Sequence, residues 1–373
     1  MDKEELHDEV VNYKPQMTNK ERMEKYLTGQ RVDHLPFSLG LDVAYGHILG
    51  YTSSQLRGDF DASCEVIQKR IDTYHVDGIN ISLGLKFIGA ACGSVLSFPD
   101  DGPEFVSEFV MADGEIDMSK IDLPHPRTNP VLSGILEKGK KLKERFSDQT
   151  ISTSLSGPIT TAASIRPVEK LLRDMRKNQA GFKDLMQFSL DAALKWVQVF
   201  EEEFGPHATV GIAAPVSAND LLSPKQFDEL SLPYLRDLVE GIIKITGKKP
   251  SLHMCGHTKA FWSKIHDLNI ASFSVDNLEN LRETKEALGD RMMILGNVPP
   301  VEVLLQGSPE DVIESVKDCI IKAADSPSGY IVSAGCGLSP LTPEENLDAF
   351  IYAIRKYGAD AKLGEIPQAV YQD

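Results

Sequence analysis

Three residues carry most of the chemistry legible in this chain: His253 and Cys255 in the run SLHMCGHT, and Cys336 in SAGCGLSP. Residues two apart on a β-strand point to the same side, so His253 and Cys255 share a face if the run is a strand. An imidazole and two thiolates make a Cys2His set, which suits Zn2+ with a fourth position left open for substrate. Each thiol must lose its proton to bind, and the metal's field pulls thiol pKa values down from ~8.5. Residue type alone leaves a plainer reading standing. A cysteine is often a small buried hydrophobe, and a histidine near a strand end is often only hydrogen-bonded. His257, two residues past Cys255, is an alternative ligand that the pattern places in a loop. Cys64 and Cys319 sit in amphipathic helical patterns and read as core, while Cys92 is open between the two readings.

For these residues to meet, the chain must bring distant strand ends together. Eight β-rich runs are visible, at 35–41, 78–83, 150–155, 208–214, 250–255, 270–275, 292–297 and 329–335, with amphipathic helical stretches between most of them. Such alternation predicts parallel strands with crossover helices, and eight units predict an α/β fold of the (β/α)8 TIM-barrel type. Active sites of these barrels lie at the C-terminal strand ends. The positions to inspect are therefore Asp42, Ser82, Ser156, Asn219, Asp276 and Asn297, beside His253, Cys255 and Cys336. Asp276 is expected as a fourth metal ligand or as an acceptor orienting His253, with a helix N-cap as the equal alternative. Asn219 and Asn297 are expected at the cofactor, with loop-holding roles as their alternatives. Asp77 precedes the second run, at the wrong end for chemistry, and reads as a turn residue.

Local signals mark the boundaries. Thr18 and Glu21 fit a capping box, Ser308-Pro309 opens a helix, and Thr342-Pro343 is expected to open another. Residues 1–17 read as an N-terminal arm or extra helix ahead of a single barrel domain, 18–373. The long excursion at 85–149, near the first two units, holds FPDDGPEFVSEF, a hairpin-like insertion.

Composition narrows the function classes. The 373 residues carry 55 acidic against 39 basic side chains, a net charge of −16, so neither nucleic acid nor a membrane surface is an expected partner. Five cysteines without a CxxC pair argue against a disulfide framework. The polar start, MDKEELHDEVVNYKPQ, has no apolar core of a signal peptide, and the expectation is a reduced, cytoplasmic protein.

The runs SLHMCGHT, ILGNVPPVEVLLQGSPEDV and GYIVSAGCGLSPLTPEENLDAF, with LSGPITTAASI and LLSPKQFDELSLPYLRDLV, resemble the uroporphyrinogen decarboxylase superfamily over roughly 18–358. Within it, H-x-C followed by a distant Cys resembles the zinc-dependent, corrinoid-linked methyltransferases. That resemblance implies zinc on His253, Cys255 and Cys336. It also implies methyl transfer between the cobalt of a corrinoid (methylcobalamin) carried by a partner protein and a small substrate. The substrate is either a thiol acceptor such as coenzyme M or a methylated or methoxylated donor. The decarboxylase branch follows its first strand with an arginine-rich segment that grips substrate carboxylates. Here LPFSLGLDVAYGHILG stands there, with no arginine between Arg31 and Arg57, and its last strand ends in Gly335-Cys336-Gly337 in place of G-H-G. Porphyrinogen decarboxylation is therefore not expected. A metal-free relative using these residues only for packing is the alternative from another class, and metal content separates the two.

Overall fold

Eight parallel strands build one sheet: β1 (Phe37–Ser38), β2 (Ile79–Gly84), β3 (Ile151–Ser156), β4 (Thr209–Ala213), β5 (Ser251–Met254), β6 (Ser272–Val275), β7 (Met293–Val298) and β8 (Tyr330–Ala334). Their spatial order is 1-8-7-6-5-4-3-2. That is the order of a (β/α)8 barrel, with no ladder between β1 and β2 among the described residues. The computed structural model describes residues 3–76, 78–100, 102–206 and 208–372. Asp77, expected in a turn, lies outside them. Each of the eight expected runs contains a strand, although the first shrinks to two residues.

Alternation along the strands separates an outer face from an inner one. In β2, Ile79, Ile81 and Leu83 are buried, while Asn80 and Ser82 between them are exposed. The buried faces meet helices such as Gln179–Phe204, whose Trp196, Val197 and Phe200 are fully enclosed. Trp196 donates its indole N–H to Thr153 on β3 at 3.0 Å, and Thr153 donates to the Ile81 carbonyl at 2.7 Å. A buried indole thus finds the partner it needs, and helix, β3 and β2 are tied in one line.

The capping boxes at Thr18–Glu21 and Ser308–Asp311 are both present. Thr342 does not open the last long helix. Pro343 is extended and takes the N-cap of Glu344–Tyr357, and the Thr342 hydroxyl turns back to donate to the Ser339 carbonyl. The excursion after β2 contains an antiparallel hairpin, Val95–Ser97 with Phe105–Glu108, followed by the helix Pro130–Arg145. The N-terminal residues form the helix Lys3–Val11, with Leu6 and Val10 buried and His7 bonded to Asp348 at 2.8 Å. Among the described residues no helix is long and apolar enough to cross a membrane.

Candidate metal centre

The end of β5 and the turn after β8 bring His253, Cys255 and Cys336 together, and their ligand atoms all lie within 4.8 Å of one another. The Cys255 and Cys336 sulfurs are 3.6 Å apart. His253 Nε2 stands 3.0 Å from Cys255 Sγ and 3.8 Å from Cys336 Sγ. All three side chains are partly exposed, so the cluster is reachable from solvent.

The neighbouring strand aims the imidazole. His253 pairs in register with Ser274 on β6, and its Nδ1 lies 3.1 Å from both the Ser274 carbonyl and its hydroxyl. Donation from Nδ1–H to that carbonyl leaves the Nε2 lone pair facing the two sulfurs, as a metal-ligating histidine requires.

The two thiols are driven in opposite directions by their mutual contact. Hydrogen bonding with the Cys255 thiol, and then with His253, holds Cys336 below the ordinary thiol range. Cys255 is pushed up by that same bond and by burial. The first proton leaves readily and the second is retained, so a dication among the three donors takes the place of the held proton. A tetrahedral zinc site with Zn–S of ~2.3 Å and Zn–N of ~2.0 Å has an S···S edge of about 3.8 Å and S···N edges of about 3.5 Å. The observed triangle of 3.6, 3.0 and 3.8 Å matches this to about half an ångström on each edge, so the residues fit zinc.

Three carboxylates fix the loop that follows Cys255. The backbone N–H of Gly256 donates to Asp276 at 2.8 Å and that of His257 to Asp220 at 2.7 Å. Thr258 and Lys259 both donate to Glu279, the latter at 2.7 Å. Gly256 adopts φ +73°, and a Cβ there would sit 2.3 Å from the Asp220 carboxylate, so only glycine passes.

Several expected positions serve other ends. Asp276 is outside the ligand group: its Oδ2 accepts from Gly256, its Oδ1 accepts from the Leu278 N–H, and the acceptor for His253 is Ser274. Asn297 is buried and gives its amide hydrogens to the Asp276 and Glu279 carbonyls, so those donors are not turned to a cofactor. Asn219 is exposed and its N–H donates to the His257 carbonyl. His257 lies in the loop, as expected, but faces Asp220 at 2.9 Å and stands outside the ligand group. Asp42 pairs with Arg70, Ser156 is buried against Thr161, and Ser82 receives the Ser154 hydroxyl. Cys319 is buried, and the enclosure pushes its thiol up to about 11. Cys92 is half-buried and is pushed up to about 12 for the same reason. The residues missed by sequence reasoning are Ser274, Asp220 and Glu279. Ser274 carried no such signal: lining up the ends of the fifth and sixth runs sets Phe273 beside His253, and the actual register differs by one residue.

Comparison with known proteins places the chain. The Uroporphyrinogen decarboxylase (URO-D) family profile matches residues 18–357. The chain is 27% identical to the Methylcobamide:CoM methyltransferase MtaA of Methanosarcina barkeri over 230 residues, 61% of this chain and 65% of that protein. A Methylated-thiol–coenzyme M methyltransferase of Methanosarcina mazei is 27% identical over 231 residues, 61% of this chain and 58% of its own length. The chain thus spans less than two thirds of these relatives. A uroporphyrinogen decarboxylase of Pseudomonas savastanoi pv. phaseolicola is 24% identical over 304 residues, 80% of this chain and 83% of that protein. Among solved structures, a methyltransferase from Methanosarcina mazei superposes with a TM-score of 0.78 at 20% identity, covering 92% of this chain and 100% of that one, which shows a shared fold. Fold, strand order and a profile match over nearly the whole length agree that the chain belongs to the uroporphyrinogen decarboxylase family.

Proposed function

We propose that this chain is a corrinoid-linked methyltransferase, moving a methyl group between the cobalt of a corrinoid protein and a small substrate, with zinc held by His253, Cys255 and Cys336. The observation that carries the reading is the triangle of one imidazole and two thiols at the strand ends of a barrel, solvent-accessible and sized for zinc. Bound zinc supplies a Lewis-acid position beside two thiolates, where a thiol acceptor or the oxygen of a methyl ether becomes reactive. Ser274 fixes the tautomer of His253. The carboxylates of Asp276, Asp220 and Glu279 hold the Cys255 loop through its amides, so the sulfur is positioned before substrate arrives.

A methyl group on cobalt does not diffuse free, so a partner protein must present the corrinoid at the strand-end mouth. With a net charge of −16, the chain favours a partner with a basic docking patch. The segment after the first strand holds no arginine between Arg31 and Arg57 to grip a polycarboxylate. Arg57, the first arginine after Arg31, donates to the Gly102 carbonyl and faces Glu104. The test is methyl transfer from methylcobalamin, or from a methylated corrinoid protein, to candidate thiols by the zinc-loaded chain. Transfer that disappears in Cys336→Ala supports the reading. A protein that binds no zinc after reconstitution and moves no methyl group contradicts it.

A further inference from the structure

Barrels of this type usually fill their interior with bulky branched side chains. Here the inner face carries small residues, mostly serines, at one level of β2 to β6, and the row ends at Met293 on β7. Strand register sets Ser82, Ser154, Gly211, Ser251 and Ser272 side by side across five consecutive strands, β2 to β6. Register partners on parallel strands share a face. This row lies on the face of His253, two residues and about 6.6 Å before it along β5. Contacts agree: the Ser154 hydroxyl donates to Ser82 Oγ at 2.8 Å, and a Cβ on Gly211 would meet Ser251 Oγ and Ser154 Cβ at 3.3 and 3.6 Å.

Four of the five positions are accessible, and Ser272 is buried. Helices cover the outer face of these strands, yet Asn80 and Ser82 are exposed, and Ser154, Gly211 and Ser251 are partly so. β2 ends the sheet and opens to solvent at its edge, whereas Ser154, Gly211 and Ser251 keep partial exposure one to three strands further in. The partly exposed Ser251 hydroxyl makes no hydrogen bond among the described residues, which leaves it available to a guest. No strand position of this inner row is a Lys, Arg, Asp or Glu.

We propose that this hydroxyl-lined space beneath His253 receives the non-reacting part of the small substrate, and that this part is uncharged and carries hydroxyl or ether oxygens. Ser82, Ser154 and Ser251 are its specificity-determining residues. The inference rests on the reading of His253, Cys255 and Cys336 as the reacting centre. Serine hydroxyls both donate and accept, which satisfies neutral oxygens, but they do not neutralise a sulfonate, carboxylate or phosphate stripped of water. A substrate with an anionic tail is thereby selected against.

Two thiols of equal length separate the cases: neutral 2-mercaptoethanol and anionic 2-mercaptoethanesulfonate, titrated into the zinc-loaded full chain by calorimetry. The neutral thiol is expected to bind at least about tenfold tighter. Ser154→Val is expected to weaken the neutral thiol several-fold with zinc content unchanged. Ser82→Lys, at an exposed position of β2, shifts the preference toward the sulfonate. Equal or tighter binding of the sulfonate by the unaltered chain overturns the proposal, as does no measurable binding of either probe. Methyl transfer is scored separately. A chain that keeps the neutral preference yet moves no methyl group refutes the proposed function and leaves the pocket standing. Transfer with the sulfonate preferred refutes the pocket alone.

Discussion

Cys336→Ala removes one sulfur of the triangle, the one 3.6 Å from Cys255 Sγ. Zinc affinity is expected to fall by at least about 100-fold, measured by competition with a chelator, while the thermal unfolding temperature stays close to that of the parent. Cys319→Ala gives the opposite pattern: it costs about 1 kcal/mol of stability from a fully packed site and spares zinc. The convergence of Cys255 and Cys336 was legible because each ends a β-rich run, and the core place of Cys319 because it falls within a helix. The role of Asn297 was not legible, because its two carbonyl partners, Asp276 and Glu279, belong to a different strand unit. His34 gives a pH signature. Burial, then the nearby Arg22, lowers it to about 4 from 6.5, so the folded state keeps it neutral. Its contribution is fully present above pH 6.5 and is lost as pH falls from 6.5 to 4, on the order of 3 kcal/mol in total. Denaturant melts of the parent and His34→Gln across that window check it: the variant should show a flatter dependence.

At the scale of elements, the turn after β5 decides whether Cys255 is held in place. Glu279→Ala leaves the amides of Thr258 and Lys259 without their carboxylate acceptor and is expected to cost about 2 kcal/mol. Zinc affinity should fall about tenfold or more, because the loop bearing a ligand loosens. Chemical denaturation and chelator competition on one preparation read both effects, and a loss of stability with unchanged zinc affinity would detach the clamp from the site. Strand existence was readable because each run is short, β-rich and bounded by turn residues. Strand register was not, and register is what brings Ser274 to His253. The Thr342 cap failed for a local reason: an extended Pro343 starts the helix one residue late, and the Thr342 hydroxyl satisfies Ser339 in the preceding turn.

For the molecule as a whole, the N-terminal helix is part of the folded unit. Leu6 and Val10 are buried, Arg355 donates to the Val10 carbonyl at 2.9 Å, and His7 meets Asp348. Leu6→Ala is expected to cost about 2–4 kcal/mol, read as a shift in the denaturation midpoint. The acidic surface leads to a further expectation: association with a corrinoid protein weakens as salt rises, so transfer from that partner slows across a salt series while transfer from free methylcobalamin does not. One zinc ion is expected on His253, Cys255 and Cys336. X-ray absorption at the zinc edge of the reconstituted chain tests it directly. Two sulfur scatterers at ~2.3 Å with nitrogen or oxygen at ~2.0 Å are expected, with loss of one sulfur in Cys336→Ala. A shell of nitrogen and oxygen alone, or a sulfur count unchanged by that substitution, would contradict it.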